Sequence, residues 1–173
     1  MRRTTSSSDS SLRPFVAGVA ATIGARIVLR RALLLKLRRD VTRLNAGDYR
    51  PFLAGFADDA VLRFAPGEHR WAGDHRGKPA IDRFFRMFVA ARLQGQIRDL
   101  WIGGPLWAMT IVARFDDRAE GPNGEQLYAN RTAIVARTRW GRIVEQQDFY
   151  EDTVRMADFD RRLRELGIDA EPA

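Results

Sequence analysis

The chain has 173 residues, 45% of them hydrophobic and 29% charged, the proportions of one globular domain with a core of its own. It contains no cysteine, which excludes a disulfide framework, a thiolate metal site and a cysteine nucleophile. The formal charge of +7 is concentrated at the start: residues 1–43 carry ten Lys and Arg against Asp9 and Asp40, whereas residues 44–173 carry nineteen basic and twenty acidic side chains. A nucleic-acid partner needs a basic stripe across the folded surface, and a neutral body does not supply one.

Residues 1–14 are polar and serine-rich and read as a disordered tail. Residues 15–25 (FVAGVAATIGA) are continuously apolar but fall short of the roughly 20 residues that span a bilayer. Behind Arg2 and Arg3 this run has the outline of a secretory signal, without a small-x-small cleavage site at Ala25. It also reads as a helical extension that covers the domain or a partner subunit. Alternatively, residues 15–39 form a basic, apolar helix resting on a membrane surface. The expected location is cytoplasmic, with membrane attachment or export through residues 1–25 as the alternative.

A first helix is expected over 26–46, with Leu34, Leu37, Val41 and Leu44 as its apolar stripe. Asn45-Ala46-Gly47 stops it, because glycine accepts the left-handed conformation of a helix end. Asp48 is placed to cap a short second helix carrying Phe52, Leu53 and Phe56. Asp58-Asp59 then reads as a turn before a strand at Ala60–Ala65. Pro66-Gly67 opens a loop-rich link with His69, Trp71 and His75, and Gly77 to Leu93 reads as a helix burying Phe84, Phe85, Phe88 and Val89. Strands follow at Gln94–Ile102, Leu106–Asp116, Leu127–Arg139 and Arg142–Tyr150, the second with Trp107, Met109, Ile111, Ala113 and Phe115 on one face. A closing helix capped by Asp152 or Thr153 runs to Leu166, and residues 169–173 are a tail, leaving 26–168 as the domain. Helices followed by long consecutive strands define an α+β fold with an antiparallel sheet.

Elimination narrows the chemistry. Every serine lies at or before Ser11, so no serine-hydrolase triad can be assembled. His69 and His75 are the only histidines, and nothing in the spacing suggests a metal set. No glycine-rich phosphate loop is present, and no cofactor is expected. What remains is proton transfer by carboxylate, histidine or tyrosine in an apolar pocket, where burial lifts a carboxylate toward neutrality. Strand alternation puts Val144, Gln146, Asp148, Tyr150 and Asp152 on one face of the last strand, and Tyr128, Asn130, Thr132 and Ile134 on one face of the strand before it. Asp148 reads as the proton carrier, as a satisfied structural carboxylate or as a solvent-facing one. Asn130 reads as an orienter of a ligand carbonyl or as a cross-strand bond. His75 and Trp71 are candidates for a pocket mouth. Phe56, Phe64, Phe88 and Trp107 are candidates for apolar walls, although aromatic residues at such spacings are by default core.

Four stretches carry a family resemblance: LNAGD at 44–48, FADDAV at 56–61, GKPAIDRFF at 77–85 and WGRIVEQQDFYEDT at 140–153. In this order and spacing they resemble the nuclear transport factor 2-like superfamily, which includes the ketosteroid isomerases and the SnoaL-like polyketide cyclases. The resemblance implies a curved antiparallel sheet wrapped around the N-terminal helices as a cone with an internal pocket. It implies a small hydrophobic, carbonyl-bearing ligand and a cyclase, isomerase or dehydratase type of reaction. SnoaL-like cyclases carry a catalytic aspartate at the corresponding end of the last strand, which turns the Asp148 face, with Gln146, toward the cavity. Tyr150 or Asn130 would then steady an oxyanion, with Tyr128 beside them. Ketosteroid isomerases need a first-helix tyrosine where this chain has Asp40, and an aspartate base where it has Phe64, so their mechanism does not carry over. The alternative function is a non-catalytic ligand-binding or dimerising module, a homodimer formed through the open sheet face.

Overall fold

The computed structural model describes residues 12–168, so expectations for residues 1–11 and 169–173 lie outside the described residues. The chain divides into two units, residues 1–36 and 37–173. Helix α1 runs Leu12–Asn45, so the apolar run at 15–25 is helical in its backbone. No helix among the described residues is long and apolar enough to cross a membrane.

Within the second unit, α1 ends as its sequence requires. Gly47 sits at φ +92°, its N–H donating to the Leu44 carbonyl, while the Asp48 N–H reaches back to the Arg43 carbonyl at 2.9 Å. This pair of reversed bonds satisfies carbonyls that the helix end would leave open. The short α2 (Arg50–Leu53) starts at Tyr49 without a side-chain cap, so Asp48 does not play that part. Phe56, expected on α2, opens strand β1 (Phe56–Phe64) instead, and Asp58 and Asp59 are exposed positions within that strand rather than a turn. The remaining elements are β2 (Gly73–Arg76), α3 (Lys78–Ala90), β3 (Gln94–Gly103), β4 (Thr110–Glu120), β5 (Gln126–Arg139), β6 (Arg142–Tyr150) and α4 (Thr153–Glu165). The Asp152 side chain caps α4 by accepting from the Val154 and Arg155 N–H groups.

The strands form one open, curved six-stranded sheet in the order β2-β1-β6-β5-β4-β3. All neighbours are antiparallel except β1 and β6, which run parallel, so the sheet is mixed. Chain direction across such a long-range pair leaves no trace in local periodicity. Strand β4 begins three residues later than Trp107, which stands in the preceding turn, and runs on to Glu120.

The core gathers where α3 and α4 lie against the sheet. Ile81, Phe84, Phe85 and Met87 of α3 are buried, as are Met156, Phe159 and Leu163 of α4. Phe85 meets Phe52 and Phe56 edge-on at 5.5 and 6.0 Å between ring centroids. Each such side chain contributes about 1.5–3 kcal/mol by leaving water. The turn between β3 and β4 makes a sharper demand. Gly104 has φ +85°, and a Cβ built there would stand 2.5 Å from the Ala108 carbonyl oxygen. Gly104→Ala is therefore expected to cost about 1–3 kcal/mol from backbone conformation alone, with the clash adding to it. Urea denaturation of the variant measures that loss.

Candidate functional site

Strand register brings two carboxylates to the inner face of the sheet. On β6, Gln146 and Asp148 are buried, and the Gln146 Nε2 donates to Asp148 Oδ1 at 2.9 Å. Asp148 lies opposite Ile134 of β5, and Tyr150 opposite Thr132. On β4, buried Asp117 lies opposite Asn130, and its Oδ2 accepts from the Thr132 hydroxyl. Thr132 thus stands between the two acids, bonded to one and next to the strand of the other.

Burial dominates the chemistry of both. It pushes the Asp148 carboxyl up to about 7, the Gln146 hydrogen bond pulling it back and the negative charge of Asp117 pushing further. Asp117 is pushed up to about 6 by burial, opposed by the Thr132 bond and assisted by the charge of Asp116. Burial, then the charges of Asp117 and Asp148, also lifts the Tyr150 phenol well above its ordinary value, so it keeps its proton. Tyr128 is raised in the same way, mainly by burial. The inner face therefore holds two carboxyls that exchange protons near neutrality beside two phenols that remain donors.

An open cleft of about 1240 Å³ reaches this face at the end of the sheet near the start of β3 and the end of α1, and Asp117 and Asn130 line it. Its apolar lining is limited to Val41, Ile97 and Ala129, while Arg38, Arg98, Arg118, Arg131 and Arg155 stand among Asp116, Asp117, Glu151 and Asp152, with Arg98 paired to Asp116, Arg131 to Glu151 and Arg155 to Asp152. Neither Asp148, Gln146 nor Tyr150 is part of its wall. Asn130 is fully engaged, its Nδ2 donating to Tyr128 Oη at 3.1 Å and to the Asp152 carbonyl at 2.7 Å, and its Oδ1 accepting from the Arg131 N–H. Among the described residues, no group of three His, Asp or Glu is placed to hold a metal ion.

The other sequence candidates scatter. His75 sits half-buried on edge strand β2, its Nε2 at 2.9 Å from the Trp71 carbonyl and its ring against Phe84. Trp71 is fully buried and stacked on Phe159, and Phe56 and Phe64 belong to the core, with Phe88 packed against it. Trp107 is 56% exposed. The aromatic set thus packs as core, apart from Trp107, and does not line the cleft at Asp117. Asp117 lies one residue beyond the strand end expected at Asp116, and β4 runs on to Glu120. Extending the alternation through Ile111, Ala113 and Phe115 by one more step lands on Asp117, a carboxylate in an apolar register.

Helices followed by an open, curved mixed sheet define an α+β cone of the kind seen in proteins with a nuclear transport factor 2-like or cystatin-like fold. Bal32a, from a soil-derived mobile gene cassette, superposes with a TM-score of 0.62 at 21% identity over 76% of this chain and 98% of its own. TerC, co-crystallised with polyporic acid, gives 0.60 at 15% identity over 74% and 97%. A candidate polyketide cyclase from Xanthomonas campestris pv. campestris gives 0.53 at 16% over 75% and 98%. Identities this low show a shared fold and nothing finer. A comparison with curated proteins finds no match. The SnoaL-like domain family matches residues 37–146, and the chain belongs to that family.

Proposed function

We propose that this SnoaL-like protein is a small acid–base enzyme acting on a carbonyl-bearing molecule. Asp117 exchanges protons with the ligand in the cleft, and Asp148, outside the cleft wall on the same face of the sheet, is a second carboxyl whose proton affinity is coupled to the charge of Asp117. The observation that carries this reading is Asp117 itself, a buried carboxyl poised at about 6 on the wall of an open cleft. A group with that poise gives and takes a proton at working pH, whereas an ordinary surface carboxylate holds none. The fold neighbour crystallised with polyporic acid supports a small-molecule occupant.

The ring opening of 5-nitrobenzisoxazole tests the proposal without knowledge of the natural substrate. A base removes the ring C–H proton, the N–O bond breaks and a coloured phenolate forms. The protein is expected to exceed free acetate, with a rate that rises as pH passes through the region of 6 to 7. Asp117→Asn should lose about 10²-fold of that rate. Wild-type protein no faster than acetate would overturn the reading.

A dimerising role has its own support. The outer sheet face carries Trp101 and Phe149, each 48% exposed, across the paired strands from half-buried Val112, Ala133 and Val135. Such a patch, ringed by the Arg98–Asp116 and Arg114–Asp99 pairs, suits a second copy of the chain. Sedimentation of Trp101→Glu decides this: a dimer that becomes a monomer supports it, and an unchanged mass removes it.

A further inference from the structure

The end of the sheet formed by the β3–β4 and β5–β6 turns exposes three large apolar side chains at once: Leu106 at 64%, Trp107 at 56% and Trp140 at 79%. They are neighbours, because the Trp140 N–H donates to the Trp107 carbonyl at 3.0 Å. Trp140 is also in an unfavourable backbone state. Together with Gly141 it makes the two-residue turn between β5 and β6, with φ +50° and +78°. This turn favours asparagine at its first position, and a bulky aromatic there is an outlier. A tryptophan held both against its backbone preference and in water marks a surface with a task.

The chemistry of that end points to one occupant. Arg137, Arg139 and Arg142 flank the aromatics and are all exposed, Arg137 pairing with Glu145 at 3.4 Å and Arg139 with Asp59 at 3.2 Å. Arg142 bonds to the Ala54 and Phe56 carbonyls and, among the described residues, to no carboxylate. Tryptophan, leucine and arginine together match the boundary between lipid headgroups and acyl chains, where indole rings settle and guanidinium groups meet phosphates. The area argues the same way. Three side chains offer roughly 400–500 Å² between them. A stable protein interface needs about 800 Å² per partner. Lipid contact has no such threshold.

We propose that the Leu106–Trp107–Trp140 tip docks the protein on an anionic lipid surface. Co-sedimentation of the full chain with vesicles of phosphatidylcholine and phosphatidylglycerol in equal parts tests this, read beside vesicles of phosphatidylcholine alone. Wild-type protein is expected to partition onto the mixed vesicles with a blue shift in tryptophan emission. Trp140→Asn and the double variant with Trp107→Ser should lose tenfold or more of that partitioning. Folding failure cannot imitate this result, because Trp140→Asn supplies the residue the turn prefers and should raise the melting temperature by a few degrees. Unchanged partitioning of the double variant overturns the proposal, as does failure of the wild type to bind. A change in oligomeric mass without a change in vesicle binding also overturns it and assigns the tip to a contact between copies.

Discussion

Replacing Asp148 by asparagine should stabilise the folded chain at pH 8 and leave it almost unchanged at pH 4. Burial raises this carboxyl to about 7, so the folded state holds a proton that the unfolded chain releases near 4. Between those values the folded state binds more protons than the unfolded one, and stability falls as pH rises. The favourable term is complete below the unfolded value and gone once pH has passed the folded one. A difference of about three pK units corresponds to about 4 kcal/mol. Asparagine has no charge to bury, and its carbonyl still accepts from Gln146 Nε2, so it escapes the decline. Urea denaturation at the two pH values measures the gain directly. Such an increase is the signature of a group kept for chemistry at a cost in stability. A variant less stable than wild type at pH 8 would make Asp148 a structural carboxylate.

The second large effect runs in the opposite direction. Asp160 is fully buried on α4 and accepts from Arg70 Nε and from the Arg164 guanidinium. Arg70, also nearly buried, donates in addition to the Ile168 carbonyl at 3.0 Å, tying the β1–β2 link to the end of α4. Burial pushes the Asp160 carboxyl up, but the hydrogen bonds and charges of Arg164 and Arg70 outweigh it and hold the group below its ordinary value. Its contribution is present above the unfolded value and is lost as pH falls through the folded one. Asp160→Ala strands the Arg70 cation without its partner and should cost about 3–5 kcal/mol. The double variant Asp160→Leu with Arg70→Met removes both charges and should recover most of that loss. A single variant that unfolds at the wild-type urea concentration would show that the pair is not the clasp described here.

Features that rest on neighbouring residues were legible in the sequence. Gly47 stops α1, Asp152 caps α4, and β6 occupies the expected residues Arg142–Tyr150. Features that rest on distant partners were not. The four-residue β2, GDHR, has no apolar alternation of its own and becomes a strand only by pairing with Val61–Phe64. The SnoaL-like motifs conveyed the cone, and the alternation of β6 turned Asp148 inward, where it is buried. The aromatic residues gave no comparable guidance, since Phe56 and Trp71 serve the core at spacings that would equally suit a ligand wall. Asp160 had a readable signal: it falls in the Met156, Phe159, Leu163 stripe of α4, where a carboxylate requires a buried cation.

Proton transfer at this site requires that two carboxyls on the inner sheet face hold protons close to neutrality. Carbon-13 NMR titration of the aspartate carboxyls, assigned by Asp117→Asn and Asp148→Asn, addresses it without any substrate. The expected midpoints are about 6 for Asp117 and about 7 for Asp148. Midpoints for both at the ordinary aspartate value near 4 would rule out acid–base chemistry by these carboxyls, because neither group would then carry a proton to give.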